Sequence, residues 1–143
     1  MSKLTLALAS QIIDAALAEG RKRNLLPLTV VVLDAGGHAV ALKREDGSSL
    51  IRPQLAGAKA WGTLGMGFGS RELARRAQAH PVFFNTLIEL SGGNMVPAPG
   101  GVLIRDTERT ILGAVGISGD VSDADEACAL AGIEAAGLVA DAG

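Results

Sequence analysis

Apolar residues recur along this chain with two spacings. Over residues 5–23, Ala9, Ile12, Ile13, Ala16, Leu17 and Gly20 follow the i, i+3, i+4, i+7 rule of one helix face, and Asp14 and Glu19 point away. Gly20 and the basic Arg21-Lys22-Arg23 suit the C-terminal end of that helix, where cations meet the negative end of its dipole. Residues 28–33 form a β-branched run that ends in Asp34-Ala35-Gly36-Gly37 and is followed by a second apolar run over 38–42. That pattern predicts an antiparallel hairpin.

A polar stretch over 43–52 leaves the second strand, turns at Asp46-Gly47, and meets Pro53, which is well placed to start a helix reaching about residue 64. Gly62, Gly65, Gly67 and Gly69 then break the helical pattern and predict a flexible connection, after which Ser70 N-caps a helix over 71–79. Following His80-Pro81, residues 82–90 predict a short helix with Phe83, Leu87 and Leu90 on one face. A second hairpin is expected from 102–105 and 110–118 around the turn at 106–109. Ser122 is expected to cap a last helix with an acidic first turn and a buried stripe of Ala124, Ala127, Cys128, Ala131, Ala135 and Leu138.

The resulting order is helix, hairpin, helical middle, hairpin, helix. With no βαβ crossover, it implies an α+β fold whose mostly antiparallel sheet is covered by helices. The 143 residues, 48% of them hydrophobic, suit one domain over 1–143. A net charge of −2, with neither sign gathered into a run, argues against nucleic acid and anionic membrane as partners. The start MSKLTLALAS imitates a secretory leader, but its apolar stretch is short and runs into Gln11 and Asp14, so it is expected to be helix. No apolar stretch approaches the ~20 residues that span a bilayer. Cys128 is the single cysteine, which excludes an internal disulfide and a cysteine-based zinc cluster and points to the cytoplasm; no metal site is expected.

Residues 91–126 carry the densest candidate chemistry. Gly100, Gly101, Gly113, Gly116 and Gly119 sit in or beside strand-like runs, where glycine is unfavourable unless a bulge or a close backbone or ligand approach requires it. Across from this glycine wall, Arg44, Arg52 and Lys59, with Asp46, would form a cationic rim for a carboxylate or propionate. The GMGFGS stretch lacks the spacing, the preceding strand and the lysine of a phosphate loop. His38 and His80 fall at turns and have no triad partners.

The blocks VVVLDAGGHAVALKREDG at 30–47, AGAKAW at 56–61, GSREL at 69–73, PAPGGVLIRD at 97–106 and ILGAVGISGDVSDADEACALAGIEAA at 111–136 resemble the GlcG/HbpS family, the haem-degrading domain family related to the PduO C-terminal domain. The resemblance implies a profilin-like antiparallel sheet flanked by helices and a homo-oligomer, dimer or higher. Some members bind haem and are linked to its degradation or to redox sensing, while others accompany glycolate, diol or aromatic metabolism.

Three functions follow as expectations. In the first, a small ligand, haem or another tetrapyrrole, is sheltered by the apolar loops at Phe68, Met95 and Val96, beside Pro99, Gly100 and Gly101. Its propionates then meet Arg44, Arg52 or Lys59. In the second, a cofactor-independent tautomerase- or hydrolase-type enzyme acts on a small carboxylated metabolite. Its oxyanion is held by backbone N–H groups of Pro99-Gly100-Gly101 loop residues, and protons are moved by Lys59, Asp120 or Asp125. In the third, the chain is a structural or sensory oligomer subunit whose glycine loops serve its contacts. Binding ranks ahead of catalysis because the loops suggest a pocket while no catalytic constellation is recognisable.

Overall fold

The computed structural model describes residues 3–143; Met1 and Ser2, the first residues of the leader-like start, lie outside them. Helix α1 (Leu6–Lys22) begins where the Thr5 hydroxyl accepts the Leu8 N–H at 3.1 Å. It buries Ala9, Ile12, Ile13, Ala16 and Gly20, the face given by the 3.6-residue period. Strands β1 (Thr29–Asp34) and β2 (Ala39–Arg44) form the expected hairpin, and β2 runs two residues further than its apolar run, taking in Lys43 and Arg44. Strands β3 (Gly101–Arg105) and β4 (Ile111–Ser118) form the second hairpin. The sheet is antiparallel throughout, in the order β2-β1-β4-β3-β5. Its last strand, β5 (Val139–Asp141), has no counterpart in the sequence reading, which placed Leu138 on the final helix; Gly137, at φ +75°, turns the chain first.

One face of the sheet packs Val30, Val32, Val102, Ile104, Val115 and Ile117 against α1 and α5 (Ser122–Ala135). The other face packs Val31, Leu33, Leu103 and Ala114 against Ala56 and Ala60 of α2 (Arg52–Met66). Alternate residues of each strand thus enter different cores, as the two-residue strand period requires. Seating α2 depends on glycine. A Cβ on Gly116 would lie 1.9 Å from the Ala56 carbonyl oxygen, and one on its cross-strand partner Gly101 would lie 2.2 Å from the Lys59 carbonyl oxygen.

Several local expectations are corrected. Gly62 and Gly65 lie inside α2, because the missing side chain at Gly62 admits Met95 and Leu73; only Gly67, at φ +85°, ends the helix. Helix α3 (Ser70–Ala79) is capped by Gly69, since the Ser70 hydroxyl instead bridges the Gly101 backbone, accepting its N–H at 2.7 Å and donating to its carbonyl at 3.1 Å. Helix α4 (Pro81–Leu90) buries Phe84 rather than Phe83 and Leu90, which are 59% and 82% exposed. The buried stripe of α5 is Asp125, Glu126, Cys128, Ala129, Gly132 and Ile133, with Ala135 exposed, and its cap is Val121 rather than Ser122. No helix among the described residues is long and apolar enough to cross a membrane.

Candidate functional site

The charged candidates gather at one end of the sheet. Arg44 on β2 is in register with Thr29 on β1, which is in register with Ser118 on β4. A layer of hydroxyls crosses this end: Thr29 and Ser48 share a hydrogen bond of 2.8 Å, and all three hydroxyl residues are buried. From α2, Arg52 donates to the Ser118 hydroxyl at 3.0 Å and to the Ser49 hydroxyl at 3.1 Å. Arg44 donates to the Ser48 carbonyl. Asp46 stands apart at the exposed turn.

Lys59 is not part of an open rim. It is 3% exposed, and its ammonium donates to the Ile117 carbonyl at 3.0 Å and to Asp125 Oδ2 at 3.2 Å. Asp125 is fully buried, and its other oxygen accepts the Asp120 N–H at 3.0 Å. Burial pushes the Lys59 ammonium below its ordinary pKa and the Asp125 carboxyl above its own, because each loses water; their mutual contact opposes both shifts. Asp120 is held below the ordinary carboxylate range by the backbone N–H groups of Leu26, 2.9 Å away, and Val121, 2.7 Å away. Its carboxylate fastens the α1–β1 connection to the end of β4.

The remaining candidates are dispersed. Met95 is buried in a small cluster with Leu73 and Phe84, and Pro99 borders a groove beside Arg71 and Gly143. Gly100, at φ +120°, lies against Lys59: a Cβ there would sit 2.9 Å from Nζ. Its carbonyl accepts the Ile117 N–H at 3.0 Å, so the Gly100-Gly101 segment forms the seat of the Lys59 side chain. The glycine wall and the charged wall therefore meet, but in a closed interior contact.

The principal cleft was missed by the sequence reading. It encloses about 620 Å³ between the flank of α2, the tip of the β1–β2 hairpin and the loop over residues 92–96. Its lining is mostly apolar, including Leu33, Ile51, Ala58, Trp61 and Val96, with Gln54 and Asn94 as polar side chains. A volume between ~300 and 1,000 Å³ with apolar walls and few polar groups is the usual form of a small-molecule site. Gly57 lines it from the middle of α2, and a Cβ there would meet nothing within 4 Å. The sequence signal was Gly57, but Gly62 and Gly65 share the same helix, and only the structure shows that a Cβ at Gly57 alone of the three would meet open space.

Comparison with solved structures places this geometry among known relatives. The chain superposes on the PduOC:heme complex with a TM-score of 0.87 at 25% identity, covering 96% of this chain and 98% of that one. It superposes on a double mutant of Streptomyces reticuli HbpS with a TM-score of 0.81 at 25% identity, covering 94% and 87%. The Klebsiella pneumoniae protein ORFY shares the fold, with a TM-score of 0.86 at 22% identity and coverage of 97% and 94%. No curated protein gives a significant match. The family model described as "Haem degrading protein HbpS-like" matches residues 4–134, and the chain belongs to that family.

Proposed function

We propose that this protein binds haem or another flat tetrapyrrole in the cleft between α2 and the β1–β2 hairpin. The observation that carries the reading is the open space over Gly57. Glycine inside a helix costs ~0.5–1 kcal/mol relative to alanine, and nothing in the chain occupies the place of the missing methyl. An external group lying flat against the helix accounts for it. Family membership and the heme complex of PduOC support a tetrapyrrole as that group.

The lining fits the macrocycle more fully than the metal. Leu33, Ala58, Trp61 and Val96 offer apolar contact, and Trp61 offers an aromatic ring for stacking. No histidine, cysteine, methionine or tyrosine is among the lining residues, so an ordinary axial ligand is not part of the cleft. An iron-bearing ring would bring one-electron chemistry, while the residues here bind the ring, orient it and exclude water from one face. Lys59 and Asp125, considered as proton-moving groups, enter this reading as the clip that fixes α2, one wall of the cleft.

Trp61 is the only tryptophan, so its fluorescence reports directly on occupancy. Titration with haemin should give a saturable Soret shift together with quenching of Trp61, and iron-free protoporphyrin IX should bind within about tenfold as tightly because the lining contacts the ring. Absence of saturable quenching with both compounds would overturn the reading. The exposed apolar side chains of Val82, Phe83 and Leu90 on α4 further support a homo-oligomer, which light scattering measures.

A further inference from the structure

Nine arginines occur in the sequence. Seven lie within 4.0 Å of a carboxylate: Arg21 with Glu45, Arg23 with Glu19, Arg71 with Asp123 and Glu126, Arg75 and Arg76 with Glu72, and Arg105 and Arg109 with Asp141. Among the described residues Arg44 and Arg52 have no such partner. Both nevertheless hold fixed positions, because Arg44 bonds the Ser48 carbonyl while Arg52 bonds the hydroxyls of Ser49 and Ser118. The two guanidinium groups thus converge on one two-residue segment and leave donors of each fork unused.

Other features of this corner also favour an anion. Arg52 opens α2, whose first turn carries no acidic residue and whose N-cap, Ile51, makes no side-chain bond, so nothing in the helix itself compensates the positive end of its dipole. The nearby Asp120 carboxylate, which feels the charge of Arg52, is engaged by the Leu26 and Val121 N–H groups. The hydroxyl layer of Thr29, Ser48 and Ser118 contributes polar groups without negative charge. Ile51 and Pro53, on either side of Arg52 in sequence, line the cleft. The register that puts Arg44 beside Thr29 puts Leu42 beside Val31, so Arg44 lies on the α2-covered face of the sheet. The two arginines are not lining residues: they stand at the end of β1 and β2 away from the hairpin tip, and the cleft reaches toward them along α2 through Ile51 and Pro53.

We infer that Arg44 and Arg52 form a carboxylate-binding subsite, so that the ligand of this protein is an apolar, flat molecule bearing at least one carboxylate. The apolar body lies in the cleft and the carboxylate takes the unused N–H groups of the two forks. This deepens the tetrapyrrole reading and rests on it for the identity of the body; the anion subsite itself stands on the arginines. It makes the charged substituent, as well as the ring, a condition of recognition.

The test compares wild type with Arg44→Gln/Arg52→Gln, using protoporphyrin IX, its dimethyl ester and succinate as probes. Trp61 quenching reads the porphyrins, and a thermal shift at constant ionic strength reads succinate. The double variant should bind protoporphyrin IX at least about tenfold more weakly, the scale of one lost charge-assisted hydrogen bond. Binding of the dimethyl ester should be the same in both proteins, and saturable stabilisation by succinate should be confined to wild type. Circular dichroism checks the fold; where the glutamine pair does not fold, Arg44→Lys/Arg52→Lys keeps the charge, removes the fork and should still weaken the acid selectively.

A variant that matches wild type with protoporphyrin IX and with succinate overturns the subsite. Equal weakening of acid and ester assigns the arginines to cleft structure and overturns it as well. Failure of both porphyrins to quench wild type, with arginine-dependent stabilisation by succinate retained, removes the tetrapyrrole reading and leaves the carboxylate subsite standing.

Discussion

Lys59 and Asp125 belong to helices on opposite faces of the sheet, yet they meet in a buried ion pair with Nζ 3.2 Å from Oδ2. The contact is made beside the Ile117 carbonyl, where β4 ends and Gly100 leaves room for the lysine side chain. It ties α2 to α5 around the end of the sheet. A buried pair of this kind contributes little net stability, but removing one partner leaves an uncompensated charge and costs ~3–5 kcal/mol. Lys59→Met and Asp125→Leu should each lower the unfolding free energy by about 3 kcal/mol or more, and the double variant by at least ~1 kcal/mol less than the sum. Denaturant unfolding of all four proteins measures this coupling, and strict additivity would show that the two groups do not depend on each other.

The glycines of β3 and β4 serve the same α2 contact. Because the position of a Cβ on Gly116 lies 1.9 Å from the Ala56 carbonyl oxygen, Gly116→Ala must displace the helix backbone, which has no flexible end to move aside. Overpacking of this sort costs ~1–3 kcal/mol. A urea midpoint unchanged from wild type would mean that α2 does not rest on the sheet at this place.

This seat explains why part of the site was legible in the sequence and part was not. Glycines at 101 and 116 announced a close approach, but the residue code cannot distinguish a ligand from a helix backbone as the approaching group. In sequence Asp125 belonged to an acidic first turn suited to the helix dipole and was a candidate for moving protons; its burial against Lys59, 66 positions away, is not written in that local pattern. Helix α1 and both hairpins were readable because apolar period and turn residues are local. Strand β5 was not, since three residues after a glycine turn carry no period and gain their strand character only by pairing with β3. The cleft's walls come from three separate segments, so no motif marks it.

Helix α3 provides a pH test. Arg75 and Arg76 both bond Glu72 and hold its carboxyl down to about 2, from an ordinary value of 4.5. A carboxylate lowered in the folded state adds stability above its unfolded pKa and loses it as pH falls through the folded value. The thermal midpoint of wild type should therefore fall relative to Glu72→Gln as pH is lowered from about 4.5 towards 2. Glu72 is only partly buried and both arginines are exposed, so added salt should shrink the difference. Parallel pH profiles at low salt would contradict the assignment.

Cys128 gives a report on global opening. It is fully buried, and burial pushes its thiol up to about 11. Since the thiolate is the reactive form, labelling by an aromatic disulfide reagent at pH 8 should be negligible in the native state. Its rate should rise with urea in step with unfolding followed by circular dichroism. Prompt labelling of the native protein would show that the α1–α5 layer opens without unfolding the sheet.

Gly57 separates stability from binding at a single position. A methyl group there meets no protein atom within 4 Å, in contrast to Gly116. Alanine is the better helix former by ~0.5–1 kcal/mol, so Gly57→Ala should raise the unfolding free energy by that amount. The same methyl group projects into the cleft beside Trp61 and should weaken porphyrin binding, with Gly57→Leu abolishing it. Stability and affinity should therefore move in opposite directions, measured by urea unfolding and by Trp61 quenching on the same preparations. A gain in stability with affinity unchanged in both variants would move the tetrapyrrole away from this wall of α2. A loss of stability would place another group, such as a second copy of the chain, against Gly57 in the assembled protein.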